Sequence, residues 1–268
     1  MVSSGCTETN VKLMEVSIVK IGGHVLDSEE ATKSFLYAFC TIKGPRILVH
    51  GGGKKATQLA KALNIESPMI DGRRPTSKEM LELVTMVYSG INKELVGRLY
   101  AYGVKAIGLS GADMSMIPAT KRPVNPIDFG YVGDIDPSDI NVTDLIKLLS
   151  SGITPVFAAL TQDKITGGLL NTNADTIAQA LAVALSKSAK VHLIYAFEKA
   201  GVQRDITDAG SVINIINKNN HQSLIDEKVI TDGMLPKLHN AMSAIESGVE
   251  DVRITNFTEL DKGTLITL

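Results

Sequence analysis

The sequence predicts an α/β protein: a mostly parallel sheet with helices on both faces. Three observations carry that expectation. Short apolar, β-branched runs alternate with amphipathic stretches from residue 16 to the C-terminus, the pattern of strand–helix–strand units. Two glycine clusters follow directly on such runs, where an open parallel sheet presents the ends of its strands. The chain has 268 residues, 44% of them apolar, with no internal repeat and no low-complexity linker. One domain spanning residues 1–268 is therefore expected, its two halves forming lobes of one sheet.

The elements follow in order. Residues 16–21 (VSIVKI) read as a strand ending at Gly22 and Gly23. Residues 27–42 read as a helix, with Asp27 and Glu30 at capping-box spacing. Residues 47–50 are the next strand. A helix over 54–63 follows, with apolar positions at Ala56, Leu59, Ala60 and Leu63. Thr76 and Glu79 form a second capping box, opening a long helix to about residue 102 with a possible break at Gly90. Residues 105–109 read as a strand. Pro118, Pro123, Pro126 and Pro137 point to hairpins or loops over 118–142. A short helix over 143–151 leads to a buried strand at 153–159, and 161–168 reads as a turn between short strands. Residues 174–185, 224–228 and 237–247 are helical. Residues 191–195, 252–255 and 264–267 are strands, and 1–14 form a loose tail.

Composition excludes several classes. A net charge of -2 argues against nucleic acid or an anionic membrane as partner, and the absence of Trp argues against base-stacking platforms. Cys6 and Cys40 have neither metal-ligand spacing nor a disulfide framework and suit a reducing compartment. Ser3-Ser-Gly-Cys6 lacks the apolar stretch of a lipoprotein leader, and no run approaches the roughly 18 apolar residues of a membrane helix. A soluble, cytoplasmic protein is the expectation.

The chemistry-bearing residues lie where strands end. Lys20-Ile-Gly-Gly-His24 and His50-Gly-Gly-Gly-Lys-Lys55 can turn backbone N–H groups toward an anion, aided by a helix N-terminus. Tight turns explain either loop equally well. Neither is a Walker A or a dinucleotide motif. HGGG also occurs in esterase oxyanion loops, but the only approach to a nucleophile elbow, Gly108-Leu-Ser-Gly-Ala112, lacks its last glycine. Lys20 near a strand end reads either as a snorkelling lysine or as an ammonium over phosphate oxygens. Lys237, in a first helical turn after Pro236, opposes the helix dipole unless an anion lies nearby. Asn171, Asn173 and Asp175 alternate at a loop-to-helix junction, where one could cap the helix or Asp175 could meet two lysines.

Taken together, VKIGG (19–23), VHGGG (49–53), DGRRPT (71–76), DFGYVGDI (128–135), NTNAD (171–175) and ITDGMLPK (230–237) resemble the amino acid kinase family, and within it the branch acting on N-acylated glutamate. The motifs occur in family order from about residue 15 to 268. The resemblance implies a three-layer α/β/α sandwich around a twisted, mostly parallel sheet. It implies an N-lobe (about 15–160) that binds the acylated amino acid and dimerises, and a C-lobe (about 161–268) that binds nucleotide. The reaction implied moves the γ-phosphoryl of ATP, with Mg²⁺, to the γ-carboxylate of N-acetyl-L-glutamate, giving an acyl phosphate in arginine biosynthesis. Lys20, Asp175 and Lys237 match catalytic positions; Gly52, Gly53, Arg74 and Asn171 match substrate-binding positions; Gly22 and Gly23 match the phosphate loop. No resident metal site is implied. A γ-carboxylate with a pKa of about 4.3 is already ionised at neutral pH, so no general base is required.

Two departures qualify that picture. The segment 192–201 (HLIYAFEKAG) lacks an obvious equivalent of the acid that relatives carry on the nucleotide side. Arg73 beside Arg74 is either solvated or a contact to a second carboxylate on the acyl group, as in a succinyl acceptor. A catalytically silent regulator binding acylglutamate or arginine is the reading from another class. The resemblance implies that hexameric relatives carry a long N-terminal helix ahead of the first strand; the short tail here lacks an apolar helical stripe, so a homodimer is the expectation.

Overall fold

Strand β1 (Glu15–Ile21) buries Val16, Ile18, Val19 and Ile21 completely, the two-sided burial expected of a central parallel strand. The computed structural model describes residues 13–70, 73–205, 207, 208, 210–226 and 235–268. After β1 come α1 (Glu29–Thr41), β2 (Arg46–His50), α2 (Gly53–Ala62), α3 (Lys78–Tyr100) and β3 (Ala106–Leu109). Then follow β4 (Pro118–Lys121), β5 (Gly133–Asp134), α4 (Val142–Ser150), β6 (Thr154–Ala158), β7 (Leu160–Asp163), β8 (Leu169–Asn171), α5 (Ala174–Ser186) and β9 (Lys190–Phe197). The chain closes with β10 (Ile215–Ile216), α6 (Lys218–Asp226), α7 (Leu235–Glu246), β11 (Asp251–Asn256) and β12 (Thr264–Ile266).

The main sheet has eight strands in the order β10-β12-β11-β9-β1-β2-β6-β3, parallel except between β11 and β12. Successive crossovers run from β1 toward β3 on one side and from β6 back across to β9 and β11 on the other. Right-handed crossovers then place α1 to α3 on one face and α4, α5 and α7 on the opposite face. The packing agrees: α1 and α2 touch α3, while α5 touches α7 and lies over β9, β1 and β2. The core between the layers is built from periodic apolar positions. In α1, Thr32, Phe35, Leu36 and Phe39 form one buried stripe at helical spacing. Burying a side chain such as Phe35 or Phe39 contributes about 1.5–3 kcal/mol each. The direction of strand addition reverses beside β1, and that reversal opens a crevice at its carboxyl end.

The structure corrects several expectations. The sheet is not single: β5-β4-β7-β8 form a second, four-stranded sheet. Strands β4 and β5 come from the proline-rich region read as hairpins or loops, and β7 and β8 from the stretch read as a turn between short strands. Asp27 does not cap α1. Residues Gly23–Asp27 form a 3-10 turn, so the cap falls one residue later and the helix starts at Glu29, with Ser28 Oγ accepting from the Ala31 N–H at 3.2 Å. The Asp27 carboxylate instead pairs with Lys54 at 3.1 Å. The second capping site is likewise shifted, from Thr76 to Ser77, whose hydroxyl accepts from the Met80 N–H. Gly90 does not interrupt α3, because a helix packed along β3 and β6 tolerates one glycine on its exposed side. The helix expected at 224–228 begins earlier, at Lys218; residues 227 and 228 lie outside the described residues, as do 1–12 with Cys6. Cys40 is a free thiol whose pKa burial raises.

Candidate active site

Lys20 is the penultimate residue of β1, in register with Val49 of β2 and Tyr195 of β9. Its ammonium reaches the crevice at the strand end. Asn173 caps α5 by accepting from the Asp175 N–H at 2.8 Å, which fixes Asp175 in the first helical turn. Asp175 Oδ1 lies 2.8 Å from Lys20 Nζ. On the other oxygen, Lys237 Nζ donates to Oδ2 at 3.2 Å from the first turn of α7. One carboxylate thus holds two ammonium groups contributed from residues 20 and 237. Burial alone would raise the Asp175 carboxyl; the charges of Lys20 and then Lys237 outweigh it and hold the group below the usual range. Burial, reinforced by Asp175, keeps the neighbouring Tyr195 phenol protonated, its pKa pushed well above the ordinary value. The alternation of 171, 173 and 175 therefore divides its labour: 173 caps and 175 pairs.

The HGGG loop is braced from beneath. Asn92, buried on α3, donates through Nδ2 to the Val156 carbonyl at 2.8 Å and approaches His50 Nε2 at 3.0 Å. Since the Val156 oxygen only accepts, Asn92 Nδ2 is the donor in both contacts, and His50 Nε2 is an acceptor. The imidazole proton therefore sits on Nδ1, which donates to the Gly51 carbonyl at 2.8 Å. Complete burial pushes His50 down to about 4, so it is neutral and not a base poised for catalysis. Gly52 caps α2; a Cβ there would meet Ile91 Cδ1 at 2.6 Å and the Tyr88 ring at 2.9 Å. Close approach of α3 is what demands glycine. Gly53 opens α2, whose first N–H groups have no intrahelical acceptor. In the other loop, the Gly22 N–H donates to the Ala196 carbonyl at 2.9 Å, and Gly22 does not line the cavity. Gly23 does line it.

Arg74 is buried at 7% exposure. Its guanidinium donates to Ser67 Oγ, to the Gly53 carbonyl at 2.9 Å and to Thr57 Oγ1 at 2.7 Å, all neutral acceptors. Desolvation lowers its pKa, a sign of a cation without a counter-charge. Thr76, read from the sequence as a cap, links this arginine to Asn171: its hydroxyl accepts from Asn171 Nδ2 at 3.0 Å and donates to the Arg74 carbonyl at 2.9 Å. The DFGYVGD stretch runs alongside, the Thr76 N–H donating to the Phe129 carbonyl at 2.9 Å and the Tyr131 N–H to the Thr76 carbonyl at 2.8 Å, on either side of Gly130. Gly130 has φ +67°, and a Cβ would sit 2.3 Å from the Thr76 carbonyl oxygen.

Beside these groups lies one cavity of about 500 Å³, and Lys237 is not among its lining residues. Lys20, Gly23, Gly52, Gly53, Arg74, Asn171 and Asp175 all line it. So do Lys54, Arg73 and Arg122, and Asp175 is the only acid among the described lining residues. The N-terminal turns of α2 and α5 both face it. The arrangement can bring anions together and spread negative charge over lysines and backbone N–H groups. Sequence reasoning missed His50, Asn92, Thr76 and Arg122. Their roles depend on partners 42, 95 or 12 residues away in the chain, which no local pattern signals. Asp71, Gly72 and residues 230–234 of the quoted motifs lie outside the described residues.

The family model described as the amino acid kinase family matches residues 15–256. An acetylglutamate kinase from Cytophaga hutchinsonii is 49% identical over 244 residues, covering 90% of this chain and 91% of that protein. An acetylglutamate kinase from Parabacteroides distasonis is 47% identical, covering 92% and 96%. Among solved structures, smu.665 from Streptococcus mutans superposes with a TM-score of 0.76 at 31% identity, covering 94% of this chain and 98% of that one.

Proposed function

The chain belongs to the amino acid kinase family, and from that premise we propose that it transfers the γ-phosphoryl of ATP to the γ-carboxylate of N-acetylglutamate. The observation that carries this reading is the Lys20–Asp175–Lys237 cluster, whose Lys20 and Asp175 line the same crevice as Arg74. The substrate named for both relatives has two carboxylates. Its α-carboxylate suits Arg74, a buried guanidinium held only by neutral acceptors, while the γ-carboxylate faces the lysines. Asn171, Gly52 and Gly53 complete the acceptor side, and Gly23 the phosphate side.

The nucleophile is already ionised near neutral pH, so the barrier is the approach of two anions. Lys20 and Lys237 stabilise charge developing on the phosphoryl oxygens. Asp175 positions both ammonium groups, and the N-terminal turns of α2 and α5 add partial positive charge. Mg²⁺, accompanying the nucleotide, would neutralise phosphate charge. Among the described residues no group of three or more acidic, His or Cys side chains is placed to hold it, so phosphate oxygens and water are its expected ligands. The N-lobe (about 15–160) takes the acceptor and the C-lobe (about 161–268) the nucleotide. The protein acts in arginine biosynthesis, in the cytoplasm, as a homodimer. No helix of the described residues is long and apolar enough to cross a membrane.

The test is ADP formation with glutamate and N-acetylglutamate as acceptors. Turnover with N-acetylglutamate and little with glutamate supports the reading; turnover of neither glutamate nor any N-acylated glutamate overturns it. Light scattering checks the dimer, and a hexamer would count against it.

A further inference from the structure

Five cations line the cavity: Lys20, Lys54, Arg73, Arg74 and Arg122. Three have carboxylate partners: Lys20 with Asp175, Lys54 with Asp27, and Arg122 with Asp134. Arg74 and Arg73 have none among the described residues. N-Acetylglutamate supplies an α-carboxylate for Arg74 and a γ-carboxylate for the lysines. Nothing on its acetyl methyl group matches Arg73.

Building on the N-acylglutamate kinase reading above, we propose that Arg73 and Arg122 form a subsite for a carboxylate at the far end of the acyl group. The preferred acceptor is then a dicarboxylic acyl derivative such as N-succinylglutamate rather than N-acetylglutamate. Arg73 is exposed, but its backbone is fixed on the wall. Ile70 and Arg73 exchange N–H to carbonyl bonds at 2.8 and 2.9 Å. Its guanidinium has no ion-pair or hydrogen-bond partner among the described residues. Arg122 is held more firmly. Nε donates to both Asp134 oxygens at 3.0 and 3.1 Å, and the guanidinium lies 5.3 Å over the Phe129 ring. Its remaining nitrogen, Nη1, is buried without a hydrogen-bond partner. Such an unmet donor is destabilising until an acceptor arrives. A carboxylate between the two guanidinium groups would neutralise Arg73 and, once the Arg122 side chain shifts to expose Nη1, give that donor an acceptor, a role for which the planar guanidinium is suited. A succinyl group adds two carbons and that carboxylate.

The experiment compares kcat/KM for N-acetylglutamate and N-succinylglutamate in the wild type, Arg73→Ala and Arg122→Lys, with calorimetric binding of each acceptor. Arg122→Lys keeps a charge for Asp134, so the hairpin need not unfold. The expected result is a succinyl-to-acetyl ratio of at least about tenfold in the wild type, falling about tenfold or more in Arg73→Ala and partly in Arg122→Lys. Good turnover of N-acetylglutamate with none of N-succinylglutamate overturns the subsite and leaves the kinase reading intact. A ratio unchanged by Arg73→Ala, whether both activities fall or neither does, also overturns it. Turnover of neither acceptor overturns the kinase reading itself.

Discussion

Replacing Lys20 by Met removes one charge from the Lys20–Asp175–Lys237 cluster while keeping most of the apolar stem that packs at the end of β1. The magnitude follows from the geometry. At 2.8 and 3.2 Å, each lysine–Asp175 pair has a Coulomb energy of about 5 kcal/mol at an effective dielectric of about 20, an upper bound because all three groups retain some exposure. In the resting site Asp175 cancels one of two positive charges, leaving a net charge of about +1. That remaining charge is what an incoming phosphoryl group meets. Lys20→Met leaves the Asp175–Lys237 pair neutral, so the loss should resemble that of one preorganised donor to an oxyanion. Such donors contribute about 3–4 kcal/mol, or about 10²–10³ in kcat. Stability should change little, since Asp175 keeps Lys237. The assay is steady-state ADP production at saturating ATP and acceptor, with circular dichroism to confirm folding. Because Asp175 acts on the lysines, the double variant Lys20→Met/Asp175→Asn should fall within about threefold of Lys20→Met alone. A folded Lys20→Met enzyme with kcat within about threefold of the wild type would refute the electrostatic role.

Three further outcomes can be checked. Arg74→Ala should raise the acceptor KM about tenfold or more and leave the ATP KM within about twofold, because Arg74 holds the acceptor side; equal effects on both would place it elsewhere. His50 carries a pH signature. Its ordinary pKa is 6.5 and its folded value about 4, so between those values the unfolded chain binds more protons and stability rises with pH. The contribution, roughly 3 kcal/mol, is complete above about pH 6.5 and lost as pH falls toward 4. Urea midpoints of the wild type and His50→Asn should therefore converge on acidification, and parallel curves would contradict the neutral-histidine assignment. Gly130→Ala should cost about 1–3 kcal/mol through its positive φ and the 2.3 Å approach to the Thr76 carbonyl, and should weaken acceptor binding; a thermal midpoint equal to the wild type would show that the turn relaxes freely.

Local pattern determined much about this protein. Apolar runs such as 16–21 and helical stripes such as that of α1 follow from side-chain periodicity, which is written along the chain and needs no distant partner. The same holds for the alternation that makes the sheet parallel, and for the glycine loops at strand ends. Lys20, Asp175 and Lys237 were legible as candidates because charged residues at strand ends and first helical turns are locally costly. What joined them was tertiary. Sequence separations of 155 and 62 residues between Asp175 and its two lysines are closed only when β1, α5 and α7 meet at the point where strand order reverses. The second sheet and the off-by-one caps were decided the same way. Asp27 and Thr76 each had a suitable capping oxygen. The fold offered Asp27 an ion pair with Lys54 and Thr76 a hydrogen bond from Asn171, and their serine neighbours took the caps. Hydrogen-bond groups are satisfied by whichever partner the whole fold brings within reach, and a single stretch of sequence does not contain that partner.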